Sequence, residues 1–133
     1  MLTKLYDQTV LSDKAAGTHG DCTRACIKTV LQDDLPELPH PVTPEGGWNL
    51  EFFDALEERY GWVVQCNPIR ADKDFSFLPL IVMAGGPTER TATSGASHMV
   101  VWDRVAGRCI HDPHPSRAGL LSVDMLYWLE RLG

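Results

Sequence analysis

The chain has 133 residues, a net charge of −6 and 44% hydrophobic residues, the composition of a globular protein with one hydrophobic core. Lys and Arg are scattered without a basic cluster, which argues against a nucleic-acid partner. No segment approaches the roughly 20 apolar residues that a membrane span needs, which argues against a membrane partner. Residues 1–10 lack the apolar core of a signal peptide. We therefore predict a single domain over residues 1–133, located in the cytoplasm.

The first predicted helix carries a cysteine at its start. Residues 5–11 are predicted to form a short strand or an extended segment, and residues 12–20 a loop rich in small residues. Asp21 then predicts a helix cap, with its carboxylate turned toward the helix N–H groups. Apolar and small residues share one face of the predicted helix, residues 22–32, so the face that carries Cys22 is expected to be buried.

The middle of the chain predicts a second helix followed by strands. Residues 35–48 contain four prolines and two glycines, which indicates an irregular excursion. A helix is predicted over residues 49–60, and Gly61 is a natural stop. Strands are predicted over residues 62–66 and 78–83.

The last third of the chain predicts a β-hairpin. Its strands are predicted over residues 98–104 and 108–111, with the turn at residues 106–107. The preceding segment, residues 85–96, is predicted to be flexible because it is rich in glycine, serine and threonine. The apolar stripe of a final helix is assigned to Met125, Trp128, Leu129 and Leu132. Helices at the ends and strands grouped late predict an α+β fold with an antiparallel sheet.

The four cysteines are predicted to be free thiols, because the chain shows no secretion signal. Cys22 differs from the others by its place at a helix N-terminus, where unpaired N–H groups favour a thiolate. Cys26 lies one turn deeper and is predicted to be a core residue. Cys66 and Cys109 fall in predicted strands and are expected to pack in the interior.

Two further residues complete a possible nucleophilic site. His98 opens the predicted hairpin, and Asp112 follows its second strand. A histidine beside a cysteine can take the thiol proton, and an acid behind the histidine can hold its ring in place. The hairpin is expected to bring His98 and Asp112 together on neighbouring strands.

These residues carry a resemblance to a known superfamily. The matching segments are Gln8, Gly20-Asp21-Cys22 at a helix start, residues 97–101 and residues 110–113. They resemble the papain-like cysteine peptidases, most closely the peptidase domains that trim bacteriocin leader peptides. The run over residues 111–116 is also similar to small bacterial and phage proteins of that superfamily.

The resemblance implies a papain-like fold, with the cysteine-bearing helix packed on an antiparallel sheet. It implies that Cys22 is the nucleophile, His98 the general base and acid, Asp112 the orienting group and Gln8 an oxyanion donor. The implied substrate is a peptide or protein, with neither cofactor nor metal. Gln8 lies fourteen residues before Cys22, farther than the corresponding glutamine in many members of the family.

Two other classes of function stay open at this point. A binding module of the same fold would use the cleft between helix and sheet to dock a partner. A metal-binding protein would be centred on four side chains, namely His98, His111, Asp112 and His114. The segments 35–48 and 85–96 are predicted to wall a substrate cleft in the enzyme.

Overall fold

The computed structural model describes residues 2–13, 15–69, 74–91 and 96–132. Within these ranges it contains two helices, α1 (Cys22–Leu31) and α2 (Leu50–Tyr60). It also contains five strands, which are β1 (Trp62–Pro68), β2 (Ile81–Gly86), β3 (His98–Asp103), β4 (Arg108–His111) and β5 (Met125–Arg131). The strands form one antiparallel sheet in the order β1-β5-β2-β3-β4. The predicted α+β class with an antiparallel sheet is confirmed.

Both helices end at a residue in the left-handed conformation, and α2 also has a side-chain cap at its start. The Asn49 side chain accepts a hydrogen bond from the Glu51 N–H and so caps the start of α2. Gly61 ends α2 with a φ of 76°, the left-handed conformation that glycine adopts without steric cost. Helix α1 ends at Gln32, which also adopts the left-handed conformation.

Both faces of the sheet are covered. The helices pack on one face and enclose a core of Cys26, Ile27, Leu35, Leu38, Phe52, Leu56, Met83, Met99 and Val101. The second face buries Leu78, Val82, Ala84, Val100, Leu126 and Trp128 beneath connecting segments. Alternate residues of the central strands therefore face opposite cores, which fixes the register of the sheet. This register places the first residue of β3 close to the start of α1.

The predicted final helix is wrong, since Met125–Arg131 is strand β5. Leu126 and Trp128 are buried, while Met125, Tyr127 and Leu129 are partly exposed, which is the alternation of a strand. Strand β5 lies between β1 and β2, so its backbone forms hydrogen bonds on both sides. This pairing with distant segments outweighs the local helical pattern.

Three smaller predictions also need correction. Cys66 is exposed rather than packed in the interior, and Cys109 is half-buried. Gly85 and Gly86 belong to β2 rather than to a flexible loop, while residues 92–95 of that segment lie outside the described residues. A Cβ at Gly86 would lie 2.1 Å from the Ser122 carbonyl oxygen, so the close chain approach requires glycine.

The N-terminal segment over residues 5–11 belongs to no strand of the described sheet and bends at Thr9 and Val10, so the prediction of a short strand is wrong. All four cysteines are free thiols, as predicted. Neither helix in the described ranges has the length and apolar character to cross a bilayer.

Candidate active site

A buried histidine–aspartate pair forms one wall of a cleft. His98 is the first residue of β3, and Asp112 directly follows β4, the adjacent strand. The His98 Nε2–H donates to Asp112 Oδ1 over 2.6 Å, and the exposed fractions of the two residues are 8% and 3%. The hairpin therefore brings these residues together as predicted.

The Asp112 carboxylate is held by the backbone as well as by His98. The His114 N–H donates to Oδ1 and the Gly119 N–H donates to Oδ2. Burial raises the pKa of Asp112, but the hydrogen bonds from His98, His114 and Gly119 outweigh burial and hold this pKa well below its usual range. The carboxylate is consequently charged and fixed in orientation.

The His98 ring lies between Asp112 and the Cys22 thiol. Burial lowers the pKa of His98, but hydrogen bonds with Asp112 and with Cys22 raise it to about 9. Because Nε2 is bound to Asp112, the Nδ1 atom is the ring nitrogen that faces the thiol. The ring therefore donates to the Asp112 carboxylate on one side and faces the Cys22 sulfur on the other, which is the placement that a cysteine–histidine nucleophilic pair requires.

Cys22 is the first residue of α1 and is partly exposed in the cleft. The preceding residue, Asp21, is the N-cap of the helix as predicted, but its carboxylate forms no hydrogen bond with the helix N–H groups, contrary to the expected orientation. The carboxylate instead accepts hydrogen bonds from the Thr9 N–H and hydroxyl and from the Val10 N–H. The N–H groups of the first turn are thereby left without a side-chain cap beside the thiol.

The negative charge of Asp21, next to Cys22 in the chain, is balanced by an arginine. Arg24 Nη2 donates to Asp21 Oδ2 over 2.7 Å. Burial raises the pKa of Asp21, while the hydrogen bonds from Val10, Arg24 and Thr9 outweigh that effect and lower it. Asp21 thus ties the N-terminal segment to α1.

Gln8 lies in the same cleft, held by this segment. Its backbone N–H donates to the Pro113 carbonyl over 3.1 Å, and its side-chain Nε2 donates to the Val10 carbonyl over 2.9 Å. A Cβ on Gly20 would lie 2.9 Å from Gln8 Nε2, so the amide packs on the backbone two residues before Cys22. One N–H of the amide is engaged by Val10, and an amide has two.

The cleft has a volume of about 1000 Å³. Both segments predicted to form its walls contribute to it, with Val42, Gly46, Gly47 and Trp48 from the first and Gly85, Gly86, Thr88, Arg90 and Ala96 from the second. Trp48 is 51% exposed at the rim. Strand β5 also contributes, with Met125 and Tyr127 lining the cleft.

The structure turns one residue of the metal-binding alternative, His111, away from the other three. His111 Nε2–H donates to the Tyr6 carbonyl over 2.9 Å and approaches Asp7, so this ring faces the N-terminal segment. In the part of the chain that the structure describes, no three His, Cys, Asp or Glu side chains form a group that could hold a metal ion.

Sequence reasoning missed two residues of the cleft. His114 lies beside His98, with ring centroids 6.0 Å apart and the rings nearly perpendicular. Arg90 lines the same wall. The histidine spacing signalled His114 only as a candidate metal ligand, and no local pattern distinguished Arg90.

Comparison of the chain with protein-family models, curated proteins and solved structures gives no match. The interpretation of the site therefore depends on its geometry.

Proposed function

We propose that this protein is a papain-like, cysteine-dependent hydrolase or acyltransferase that acts on an amide or peptide bond. The observation that carries the proposal is the buried His98–Asp112 pair, with a 2.6 Å hydrogen bond, whose ring faces the Cys22 thiol inside a cleft. An isolated thiol or an isolated histidine has many structural uses, whereas the three groups in this order match the requirements of nucleophilic catalysis.

The fold supports the same proposal. A cysteine begins a helix that packs on an antiparallel sheet, a histidine begins one strand, and an aspartate follows the next strand. This is the order and placement that the resemblance to papain-like peptidases implies.

In the proposed reaction the Cys22 thiolate attacks the carbonyl carbon, and the carbonyl electron pair moves to the oxygen. The Cys22 N–H and the second Gln8 amide N–H donate to that oxyanion. His98 gives its proton to the leaving amine as the C–N bond breaks, and Asp112 holds the ring. Water or another nucleophile then attacks the acyl-enzyme, losing its proton to His98 and releasing Cys22.

The second candidate is a non-catalytic binding module that uses the same cleft. It is favoured by the exposed rim residues Trp48 and Leu11, which are 51% and 42% exposed and offer apolar contact area. The Gln8 amide, which donates to Val10, is also consistent with a structural role.

Reaction with p-nitrophenyl acetate separates the two candidates without knowledge of the natural substrate. Attack by Cys22 releases p-nitrophenolate and leaves an acetyl group on sulfur, which water then removes as acetate. The enzyme is expected to give a burst of p-nitrophenolate, with the acetyl group located on Cys22 by mass spectrometry. Cys22→Ser and His98→Ala should abolish the burst, whereas Cys66→Ser, the matched change at an exposed thiol, should retain it. Equal acetylation of Cys22 and Cys66 would favour the binding module.

A further inference from the structure

A network of polar side chains extends from the cleft wall beyond His98 and has no part in the steps above. Arg90 Nη1 donates to Ser116 Oγ over 3.0 Å, and Ser116 Oγ lies 2.9 Å from His114 Nδ1. The Ser116 N–H also donates to His114 Nδ1 over 3.0 Å. Arg90 and His114 both line the cleft.

These contacts determine which ring nitrogen of His114 can donate. Since Nδ1 accepts from the Ser116 N–H, the proton of the neutral ring lies on Nε2. Burial lowers the pKa of His114, and the positive charges of Arg90 and His98 lower it further. His114 is accordingly a neutral imidazole at pH 7 and offers an N–H, while Arg90 offers a cation.

The charges that act on the His114 ring are mainly positive. The charges that act on His114 are Arg90, His98 and Arg117, together with Asp112, whose carboxylate is engaged by His98, Gly119 and the His114 backbone. Asp13 and Asp124 also line the cleft. The Asp13 carboxylate accepts the Ala15 and Ala16 N–H groups, and the Asp124 backbone pairs with Gly85 at the β2–β5 junction.

We propose that Arg90 and His114 form a subsite that binds a carboxylate on the leaving-group side of the substrate. The side follows from the reaction, because His98 delivers its proton to the leaving group and His114 packs against the ring of His98. A guanidinium and a neutral N–H donor together suit a carboxylate, which accepts charge-assisted hydrogen bonds at both oxygens. The assignment of a leaving-group side rests on the function proposed above.

The carboxylate has two possible sources, the free C-terminus of a peptide or an acidic side chain next to the scissile bond. Two pairs of thiol-reactive probes distinguish them. The first pair is iodoacetyl-glycine and its neutral amide, which differ only in a terminal carboxylate. The second pair is the amides of iodoacetyl-aspartate and iodoacetyl-asparagine, which differ only in a side-chain carboxylate.

The measured quantity is the ratio of Cys22 alkylation rates for the charged and the neutral probe of each pair. In the native protein we expect at least one ratio to exceed that of Cys66 by about five- to tenfold, because a nearby cation and N–H donor attract the carboxylate. The pair that shows the excess identifies the source. Cys66 is exposed and reports the repulsion of an anion by the net charge of −6.

Variants test the residues. Arg90→Gln and His114→Gln should each reduce the excess to about twofold or less. Arg108→Gln makes the same charge change at an exposed position of β4 and should retain the excess. The proposal is overturned if both ratios at Cys22 equal those at Cys66, or if either Arg90→Gln or His114→Gln leaves the excess unchanged.

A binding measurement keeps this test independent of thiol reactivity. N-acetylglycine should shift the NMR signals of the His114 ring in a saturable manner, and N-acetylglycinamide should leave them in place. If Cys22 proves unreactive while this selective shift occurs, the proposed catalysis fails and the carboxylate site stands. If neither compound, or both alike, shift the ring signals, the carboxylate site is refuted.

Discussion

Two buried aspartates lie on opposite sides of the candidate site, and they differ in what they hold. Asp21 is 2% exposed and Asp112 is 3% exposed, and each accepts hydrogen bonds from two backbone N–H groups. Asp21 also accepts hydrogen bonds from the Thr9 hydroxyl and from Arg24, whose charge is permanent. The remaining partner of Asp112 is His98, which can gain and lose a proton.

This difference gives the two aspartates different roles, one in holding the backbone of the site and one in orienting the His98 ring. Asp21 secures residues 9–10 against the start of α1 and so positions Gln8 and Cys22. Asp112 orients the His98 ring, which in the proposed reaction exchanges a proton with the Cys22 thiol. Changes at Asp21 should therefore affect stability and oxyanion binding, and changes at Asp112 should affect stability and the thiol itself.

The largest loss of stability is expected for Asp112→Ala. This change leaves a buried His98 without its acceptor and the His114 and Gly119 N–H groups without partners, at a cost of about 4 kcal/mol in the free energy of unfolding. Urea unfolding monitored by tryptophan fluorescence measures it. Glu58→Ala removes a carboxylate from the exposed face of α2 and should change stability little. Equal effects of the two variants would contradict the buried pair.

Asp21→Ala is expected to cost about 3 kcal/mol, because Thr9, Val10 and Arg24 lose a shared acceptor. The His98–Asp112 pair is untouched, so Cys22 should still react with iodoacetamide at nearly the native rate. The acetylation burst should fall instead, as Gln8 is no longer held at the oxyanion position. If Cys22 loses its reactivity in folded Asp21→Ala, the roles of Asp21 and Asp112 cannot be distinguished in this way.

The pH dependence of the free energy of unfolding is expected to show the contribution of His98. Its pKa is raised to about 9 in the folded protein, so the stabilisation is fully present below pH 6.5 and lost as the pH rises through 9. The loss between pH 7 and pH 9 should be about 2 kcal/mol and absent in His98→Gln. Asp112 acts in the opposite direction, since its lowered pKa gives stability that is lost at acidic pH. An identical alkaline slope in both proteins would refute this role of His98.

The smallest effect on stability is expected for Gln8→Ala. The variant loses one hydrogen bond to Val10, and its cost should stay below about 1 kcal/mol. The acetylation burst should nevertheless slow by about 100-fold if the amide donates to an oxyanion. Unchanged burst kinetics would remove Gln8 from the mechanism and leave it a structural residue.

The parts of the site that lie close in sequence could be predicted from local rules, whereas the approach of Cys22 to His98 is expected only from the resemblance. His98 and Asp112 belong to one hairpin whose short turn determines which residues face each other. The local rule for helix starts predicts a side-chain cap at Asp21. Its carboxylate instead accepts hydrogen bonds from the N–H groups of residues 9–10, which lie farther back in the chain. Arg90 likewise forms its hydrogen bond with Ser116, which lies 26 residues away in the sequence, so no local pattern indicates this contact.

The same distinction explains the error in the fold. The segment Met125–Arg131 has apolar residues at spacings that suit a helix, and only its pairing with β1 and β2 selects the strand. The β4 strand, by contrast, has the predicted bounds Arg108–His111, because a turn beside it fixes where it begins.

The most direct measurement is the rate of iodoacetamide labelling of each cysteine from pH 6 to pH 9, with the modified residue located by mass spectrometry. Native protein and His98→Ala are compared, after circular dichroism shows that the variant is folded. Cys66 serves as the exposed reference thiol, and Cys26 as the buried one.

If His98 and Cys22 form a reactive pair, Cys22 in native protein labels at least about tenfold faster than Cys66 at pH 7. This advantage disappears in His98→Ala. If Cys22 and Cys66 label at the same rate in native protein, or if His98→Ala leaves the advantage intact, the claim of a Cys22–His98–Asp112 catalytic site is contradicted.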